Sequence, residues 1–192
     1  MKIKKVQFVK GITEGDYSWD ENRPQVVLYG RSNAGKSSTI NALLNNKTVA
    51  KTSAAAGKTK QINFFNINDS FYLLDLPGYG YARGSKSDKQ QLDDLIVWFI
   101  ADTQASKRVH VIVVDAQVGI TELDADMLDY LYRTNDPIIL LLNKTDKMNQ
   151  SQISKCLNDT YSKVAGVVKT VIFSAKEKKG TDQVWKLIKE HI

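Results

Sequence analysis

Apolar runs of strand length alternate with amphipathic stretches of helix length along most of the chain. The apolar runs VVLYG, HVIVVD, IILLLN and VVKTVIFS begin at residues 26, 110, 138 and 167. Amphipathic segments follow them at residues 35–46, 121–134, about 149–165 and 181–190. The strand runs are apolar at nearly every position, as expected when helices cover both faces of a parallel sheet. The pattern predicts an α/β fold with a doubly wound, mostly parallel sheet.

One segment breaks this alternation. The stretch QINFFNINDSFYLLD, residues 61–75, has a polar turn at Asn68, Asp69 and Ser70 between two strand-like runs. It is typical of a β-hairpin, so one strand of the sheet is expected to be antiparallel. We find no repeat or linker that divides the 192 residues, of which 42% are hydrophobic. Residues 1–192 are therefore expected to form a single domain.

The sequence GRSNAGKS, residues 30–37, fits the pattern Gly-x-x-x-x-Gly-Lys-[Ser/Thr] and lies between a predicted strand and a predicted helix. In such a P-loop the backbone N–H groups surround the α- and β-phosphates of a nucleotide, while Lys36 reaches the β- and γ-phosphates and the Ser37 hydroxyl binds Mg²⁺. The residues expected to contact nucleotide here are Gly30, Arg31, Ser32, Asn33, Ala34, Gly35, Lys36, Ser37 and Ser38.

Two segments suited to sensing a γ-phosphate follow the P-loop. Thr59, in the loop sequence GKTK, can bring its hydroxyl to Mg²⁺. Asp75 begins DLPG at the end of a strand, where its carboxylate can hold a magnesium-bound water and the Gly78 amide can meet the γ-phosphate. The expected contacts are Gly57, Lys58, Thr59, Asp75, Leu76, Pro77 and Gly78. The expected metal ligands are Ser37, Thr59 and, through water, Asp75.

The sequence NKTD, residues 143–146, indicates a guanine base. The Asp146 carboxylate can accept hydrogen bonds from guanine N1–H and the exocyclic amine, whereas adenine would leave it unpaired. Asn143 would brace the base-binding loops or meet the N7 edge, and the Lys144 stem would cover the ring. After the last strand the Ala175 amide could donate to guanine O6. The base-binding set is Asn143, Lys144, Thr145, Asp146, Phe173, Ser174, Ala175 and Lys176.

The net charge is +6 and the isoelectric point about 9.2, which favours polyanionic partners. Three basic clusters are each interpreted either as solvated faces or as RNA contacts: Lys58 with Lys60, Arg83 with Lys86, and Lys176 with Lys178 and Lys179. The longest aliphatic run, at residues 138–142, is too short to span a bilayer, so an intracellular protein without membrane contact is expected.

Several conspicuous side chains are expected to be structural. The single cysteine, Cys156, cannot form an intramolecular disulfide and is expected to be a partly buried thiol. His110 and His191 are not expected to be catalytic. Core packing is the expected role of three aromatic residues: Trp98, Phe99 and Trp185.

With these motifs, the chain resembles the EngB family (also called YsxC or YihA) of bacterial ribosome-assembly GTPases, within the TrmE-Era class. The likeness covers essentially the whole chain. It is most specific in GRSNAGKSSTIN, INFF and DLPGYGYA, which begin at residues 30, 62 and 75, and continues in residues 115–124 and in FSAKEKKG from residue 173. The resemblance implies a P-loop NTPase fold and Mg²⁺-dependent hydrolysis of GTP to GDP. It also implies a cytoplasmic, monomeric factor for the large ribosomal subunit precursor, its rRNA and proteins, with a role in cell division and septation.

Tyr79 follows DLPG at the position where many P-loop GTPases have a water-positioning Gln, and no arginine is placed to act as an intrinsic finger. In potassium-dependent relatives the position of Asn33 binds K⁺, and we hypothesise that K⁺ replaces the missing arginine here. Tyr79 is then expected to point away from the γ-phosphate and to pack in the switch or touch the ribosome. The catalytic set is Lys36, Thr59, Gly78 and Asn33.

Two other functions fit parts of the sequence. A P-loop kinase for a small molecule would need a second substrate pocket and a lid, for which little unassigned sequence remains, and NKTD with SAK at residues 174–176 argues against it. A scaffold for division proteins without nucleotide control would leave the ordered motifs unexplained.

Overall fold

Seven strands form one mixed sheet in the computed structural model of the protein, which describes residues 1–46, 48–49, 61–80, 86–166 and 168–192, with backbone alone at residues 86, 88 and 89. The strands are β1 (Val6–Ile12), β2 (Gln25–Gly30), β3 (Ile62–Ile67), β4 (Phe71–Asp75), β5 (Arg108–Asp115), β6 (Ile138–Asn143) and β7 (Lys169–Ile172). The α-helices in these ranges are α1 (Lys36–Leu43), α2 (Lys86–Asp102), α3 (Glu122–Tyr132), α4 (Gln150–Tyr161) and α5 (Thr181–Lys189), with a 3₁₀ turn at Thr145–Lys147.

The strand order is β1-β3-β4-β2-β5-β6-β7. Only β3 runs against its neighbours: it is antiparallel to β1 and β4, whereas the pairs from β4 to β7 are parallel. The predicted hairpin and the predicted antiparallel strand are therefore confirmed. The carboxyl ends of β2, β4, β5, β6 and β7 meet at one edge, which is where an open α/β sheet binds its ligand.

Helices cover both faces of the sheet. Apolar side chains of α2, α3 and α4 pack on one face, where Phe99 is fully buried and Trp98 nearly so. The side chains of α1 and α5 pack on the other face, where Trp185 is 2% exposed and donates its ring N–H to the Leu43 carbonyl at 3.1 Å. The predicted core positions are confirmed. Cys156 is also buried, and burial raises the pKa of its thiol.

The strand β1 was not predicted, because its sequence carries lysines and lacks a continuous apolar run. It lies at the edge of the sheet with β3 as its partner, so much of its surface faces solvent and polar side chains are tolerated there. The ladder shifts between Phe8 and Lys10, and the Phe8 ring packs edge-on against Phe65 at 5.6 Å between centroids.

Helix α1 is shorter than the predicted span of residues 35–46. It ends at Leu43, and Asn45 has a left-handed φ of 49°, which an α-helix does not accommodate. Among the described residues, no helix combines the length and the apolar composition needed to cross a membrane.

Candidate functional site

The P-loop connects the carboxyl end of β2 to the N-terminus of α1. Asn33 and Gly35 have positive φ angles of 70° and 97°, which turn the backbone tightly before α1 begins at Lys36. A Cβ atom at position 35 would lie 2.3 Å from the Asn143 Nδ2 atom, so a larger residue would displace the Asn143 amide. The N-terminus of a helix presents unpaired N–H groups and partial positive charge, and the loop is thus suited to a phosphate.

Asn143 joins the P-loop to the loop that follows β7. Its Nδ2 donates to the Ala34 carbonyl at 3.0 Å, and its Oδ1 accepts from the Ala175 amide at 3.1 Å. The side chain is buried, so both contacts are shielded from water. Asn143 was expected either to brace the base-binding loops or to meet the N7 edge of the base, and in the structure it braces the loops. The Ala175 amide, expected to donate to guanine, donates to Asn143 here.

The NKTD segment and the loop after β7 are tied together by two further contacts. The Ser174 hydroxyl donates to Asp146 Oδ1 at 2.7 Å, and the Thr145 hydroxyl donates to the Phe173 carbonyl at 2.8 Å. These bonds fix the Asp146 carboxylate beside the residue 174–176 segment.

Lys144 links the base-binding segment to the P-loop from another side. Its backbone is left-handed, with φ of 68°, and its Nζ donates to the Asn33 carbonyl and to Asp115 Oδ2, each at 2.7 Å. The structure therefore brings three predicted segments, which are far apart in sequence, to one edge of the sheet.

These segments surround a cavity of about 540 Å³. Its lining residues are Gly35, Ser38, Asn41, Ala42, Asn45, Asn143, Lys144, Asp146, Lys147, Ala175, Lys176 and Lys178. This volume falls within the range of small-molecule sites, about 300–1,000 Å³. Predicted phosphate-binding and base-binding residues thus line the same cavity, with lysines from one of the predicted basic clusters at its wall.

Lys36 and Asp75 form an ion pair at the start of α1, with side chains only 11% and 8% exposed. Ser37, the next residue, is exposed. Among the described residues, no three or more His, Cys, Asp or Glu side chains converge as a metal cluster. Mg²⁺ in nucleotide sites usually takes one or two protein ligands with phosphates and waters, so Ser37 and Asp75 fit it without such a cluster. Gly57, Lys58 and Thr59 lie outside the described residues.

The DLPG segment packs directly on the P-loop. A Cβ atom at Gly78 would lie 3.3 Å from both the Gly30 carbonyl oxygen and the Ser32 nitrogen. The Ser32 amide donates to the Tyr79 carbonyl at 3.1 Å, and Arg31 pairs with Tyr79 in an isolated parallel bridge. Any movement of this segment must therefore break contacts with the P-loop.

Tyr79 is buried, with 4% of its surface exposed, and its hydroxyl donates to Asp124 Oδ1 at 2.8 Å. Burial, together with the negative charge of Asp124, raises the pKa of the Tyr79 hydroxyl far above its usual range. The hydroxyl therefore stays protonated and cannot act as a general base. Of the two expected placements of Tyr79, packing inside the protein is the one that the structure has.

Asp124 is not among the residues that the sequence singles out. Its fully buried carboxylate accepts from Arg31 Nε at 3.0 Å and from the Thr121 amide and hydroxyl at 3.0 and 2.7 Å. Thr121 and Asp124 have the spacing of a capping box, and this sequence signal could have predicted that Asp124 lies at the start of a helix. It does not reveal that Arg31 and Tyr79 meet the same carboxylate.

The predicted basic clusters stay predictions, either as solvated faces or as RNA contacts. Lys176 and Lys178 line the cavity. Lys58, Lys60 and Arg83 lie outside the described residues.

Comparison with known proteins identifies the family. The model of the family described as 50S ribosome-binding GTPase matches residues 25–144. A relative described as probable GTP-binding protein EngB, from Thermoanaerobacter pseudethanolicus, is 40% identical over 193 aligned positions that cover all of both chains. The chain belongs to the EngB family. It is a GTP-binding protein of a GTPase family, and the resemblance stated from the sequence is confirmed.

Other relatives agree with this assignment. An EngB protein from Geobacillus kaustophilus is 36% identical over 188 positions, 96% of this chain and 95% of the relative. The crystal structure of a probable GTP-binding protein engB has a TM-score of 0.67 at 25% identity and covers 86% of this chain and 97% of that one. The crystal structure of Era with MgGDPNP and a segment of 16S ribosomal RNA has a TM-score of 0.67 at 22% identity. The match covers 88% of this chain and 57% of that one. The latter shows a shared fold.

Proposed function

We propose that the protein hydrolyses GTP to GDP with Mg²⁺ and acts as a nucleotide-switched assembly factor for the large ribosomal subunit. One observation carries the nucleotide part of the proposal. The buried Asn143 amide holds the P-loop against the residue 174–176 loop, so that phosphate-binding and base-binding residues face one cavity.

Selection of guanine rests on Asp146. Its carboxylate lines the cavity and is held by the Ser174 hydroxyl. Guanine offers hydrogen-bond donors to this carboxylate, whereas the N1 acceptor of adenine would face it. Sites built around a polar group discriminate by about 10⁴-fold against a ligand that lacks the matching group, and we expect a preference for guanine on that scale.

The switch rests on competition for Lys36. Its ammonium pairs with Asp75, and a phosphate placed over the P-loop would draw on the same charge. Binding of a triphosphate would therefore weaken this pair and change the charge next to Asp75. Because DLPG packs on Ser32 and on the Gly30 carbonyl, that change would be transmitted to the segment after Asp75.

Hydrolysis would be slow in the isolated protein. The Tyr79 hydroxyl is bound to Asp124, and Arg31 Nε is bound to the same carboxylate, so neither side chain is directed at a γ-phosphate. Loss of a positioned catalytic group commonly costs a few powers of ten in rate. The exposed side chain of Asn33 fits a K⁺ ion, which would supply the positive charge that an arginine supplies elsewhere.

The ribosomal part of the proposal is supported by the family description and by the positive net charge. The particle would be the large-subunit precursor, contacted through rRNA and ribosomal proteins by a monomer. Such work would place the protein in the cytoplasm, and the family's link to cell division would follow from its effect on translation capacity.

The decisive experiment is cosedimentation with purified large ribosomal subunits in a GTP analogue, in GDP and without nucleotide. We expect binding in the GTP analogue to exceed binding in GDP. The matched control is Asp146→Asn, which should bind subunits with a xanthosine triphosphate analogue and not with the GTP analogue.

The alternatives predict other results. A nucleotide-independent scaffold would bind equally in all three conditions. A small-molecule kinase would not bind subunits and would transfer the γ-phosphate to an acceptor other than water. Equal binding would overturn the nucleotide switch, and a lack of binding would overturn the ribosomal role.

A further inference from the structure

An apolar groove runs between α2 and α3, beside the end of the DLPG segment at Gly78, Tyr79 and Gly80. It encloses about 380 Å³, and its apolar wall is formed by Tyr79, Leu92, Ile96, Val97, Leu123 and Met127. Val97 is 42% exposed and Leu123 is 46% exposed. Two large apolar side chains on facing helices are thus open to solvent in one concave surface, where a partner would gain by covering them.

The rim of this groove is acidic, although the protein as a whole is basic. After Lys86 and Lys89 in its first turn, α2 carries no lysine or arginine, and residues 90–106 contain three acidic residues. Residues 116–132 contain four acidic residues and no lysine or arginine. One of these seven, Asp124, is buried and paired with Arg31. Asp93 and Asp126 line the groove, and three further exposed acids lie on the same two helices: Asp94, Glu122 and Asp129. In a chain of net charge +6 this is a local reversal of sign.

We propose that the groove binds a basic, amphipathic segment of a protein. The acidic rim repels phosphates, so a nucleic acid would lose affinity here rather than gain it. An apolar floor with an acidic rim fits a helix or strand that presents aliphatic side chains on one side and lysine or arginine at its borders. This inference rests on the proposed function for its setting, in which the segment belongs to a protein of the large-subunit precursor.

The groove is connected to the proposed nucleotide site through Gly78 and Tyr79. Gly78 and Tyr79 line the groove, and the same two residues contact the P-loop through Ser32. The hydroxyl of Tyr79 ends on Asp124 in the first turn of α3. A shift of DLPG on nucleotide exchange would therefore alter the groove wall, which would make partner affinity depend on the nucleotide.

The first test uses a labelled synthetic amphipathic helix of lysine and leucine, about 18 residues long. Its scrambled sequence and a single-stranded RNA of equal length serve as comparison ligands in fluorescence anisotropy. We expect Val97→Ser and Leu123→Ser each to weaken helix binding by on the order of tenfold, as loss of a central contact does. The control Val118→Ser removes a valine that is 59% exposed and lies outside the groove, and it should change nothing.

The rim is tested by charge reversal. The double variant Asp126→Lys with Asp129→Lys should abolish helix binding, whereas Asp182→Lys, an exposed acid on α5, should not. Equal binding of the scrambled peptide, an equal effect of Val118→Ser, or RNA binding that depends on Val97 would each overturn the proposal. Self-association that is lost in Val97→Ser would also overturn it, in favour of a second copy as the occupant.

The second test separates this inference from the proposed function. A photocrosslinking amino acid is placed at position 97, or at position 118 as control, and the protein is bound to purified large subunits in a GTP analogue. A crosslink from position 97 to a basic protein segment, lost on reversal of Asp126 and Asp129, supports the inference. If the protein cosediments with subunits but position 97 crosslinks to RNA or to nothing, the peptide-binding role of the groove is wrong and the assembly function is retained. Peptide binding without cosedimentation overturns the assembly function and leaves the groove standing.

Discussion

The Tyr79 hydroxyl and the Asp124 carboxylate are joined by a buried hydrogen bond of 2.8 Å between residues 45 positions apart in sequence. The same carboxylate binds Arg31 of the P-loop. One side chain on α3 therefore holds both Tyr79, which follows DLPG, and Arg31, at the start of the P-loop. The tyrosine is thereby a structural residue of the segment that follows DLPG.

Replacement of Tyr79 by Phe should separate structure from chemistry. The ring keeps its packing, but Asp124 loses a donor, and we expect a loss of about 1–3 kcal/mol in the free energy of unfolding. GTP turnover at saturating substrate should stay within a few-fold. Urea unfolding and phosphate release are the measurements. Collapse of turnover with nucleotide binding intact would instead give the hydroxyl a direct part in hydrolysis.

Gly35 should tolerate alanine far less well than Gly15. Both glycines have φ near +90°, at 97° and 82°, so each substitution should cost about 1 kcal/mol of backbone strain. A Cβ at Gly15 meets nothing within 4 Å, whereas one at Gly35 displaces the Asn143 amide from the Ala34 carbonyl. Leaving buried groups unpaired costs about 1–3 kcal/mol each. Calorimetry should therefore show lost GDP affinity in Gly35→Ala alone; equal affinities would mean that Asn143 does not brace the site.

Asp146→Asn should change base preference. The substitution exchanges an acceptor for a donor, which suits the 2-oxo group of xanthine and opposes the 2-amino group of guanine. We expect GDP affinity to fall by at least two powers of ten, on the scale seen when a base-recognising polar contact is lost, while affinity for xanthosine diphosphate rises. Calorimetric titration of both nucleotides checks this. If GDP affinity is unchanged, the base is recognised elsewhere.

Asn33→Ala should remove any stimulation by potassium. Turnover is measured in KCl and NaCl at matched ionic strength, with Asn158→Ala, an exposed asparagine on α4, as control. We expect faster hydrolysis in KCl for the natural chain and for the control, and no difference between the salts for Asn33→Ala. Equal rates of the natural chain in both salts would rule out the potassium hypothesis.

His110 should make stability fall at acidic pH. Burial lowers the pKa of the His110 imidazole below 6.5, and the positive charge of Arg108 acts in the same direction. Asp136, beside the ring, has the opposite and smaller effect. The Nδ1 atom of His110 lies 3.0 Å from the Tyr29 hydroxyl. As the pH falls, the unfolded chain binds a proton at this histidine before the folded chain does. The contribution of neutral His110 to the free energy of unfolding is therefore complete above pH 6.5 and is lost as the pH falls through the folded pKa. Urea unfolding at neutral and acidic pH should show a smaller pH-dependent loss in His110→Gln than in the natural chain. An equal loss would assign the effect to carboxylates.

The elements that periodicity could predict are those buried on both faces. Strand β6 matches its apolar run at residues 138–143, because a central parallel strand has no solvent-facing positions to interrupt it. The edge strand β1 lacks such a run, and its pairing with β3 is a tertiary property. The site motifs were readable because phosphate and base chemistry restrict their spacing. Asp124 was not, since its partners Arg31 and Tyr79 come from distant segments and only the folded chain brings them to one carboxylate.

Because β2 lies in the middle of the sheet, it can be fully paired only late in synthesis of the chain. Its two neighbours, β4 and β5, both lie downstream of it, and β5 begins at Arg108. Until the ribosome has delivered that strand, one edge of β2 has no hydrogen-bonding partner. A nascent chain of this protein therefore passes through a stage in which the strand that carries the P-loop is an open template for wrong pairing, and we expect chains halted before residue 108 to depend on chaperones for their solubility.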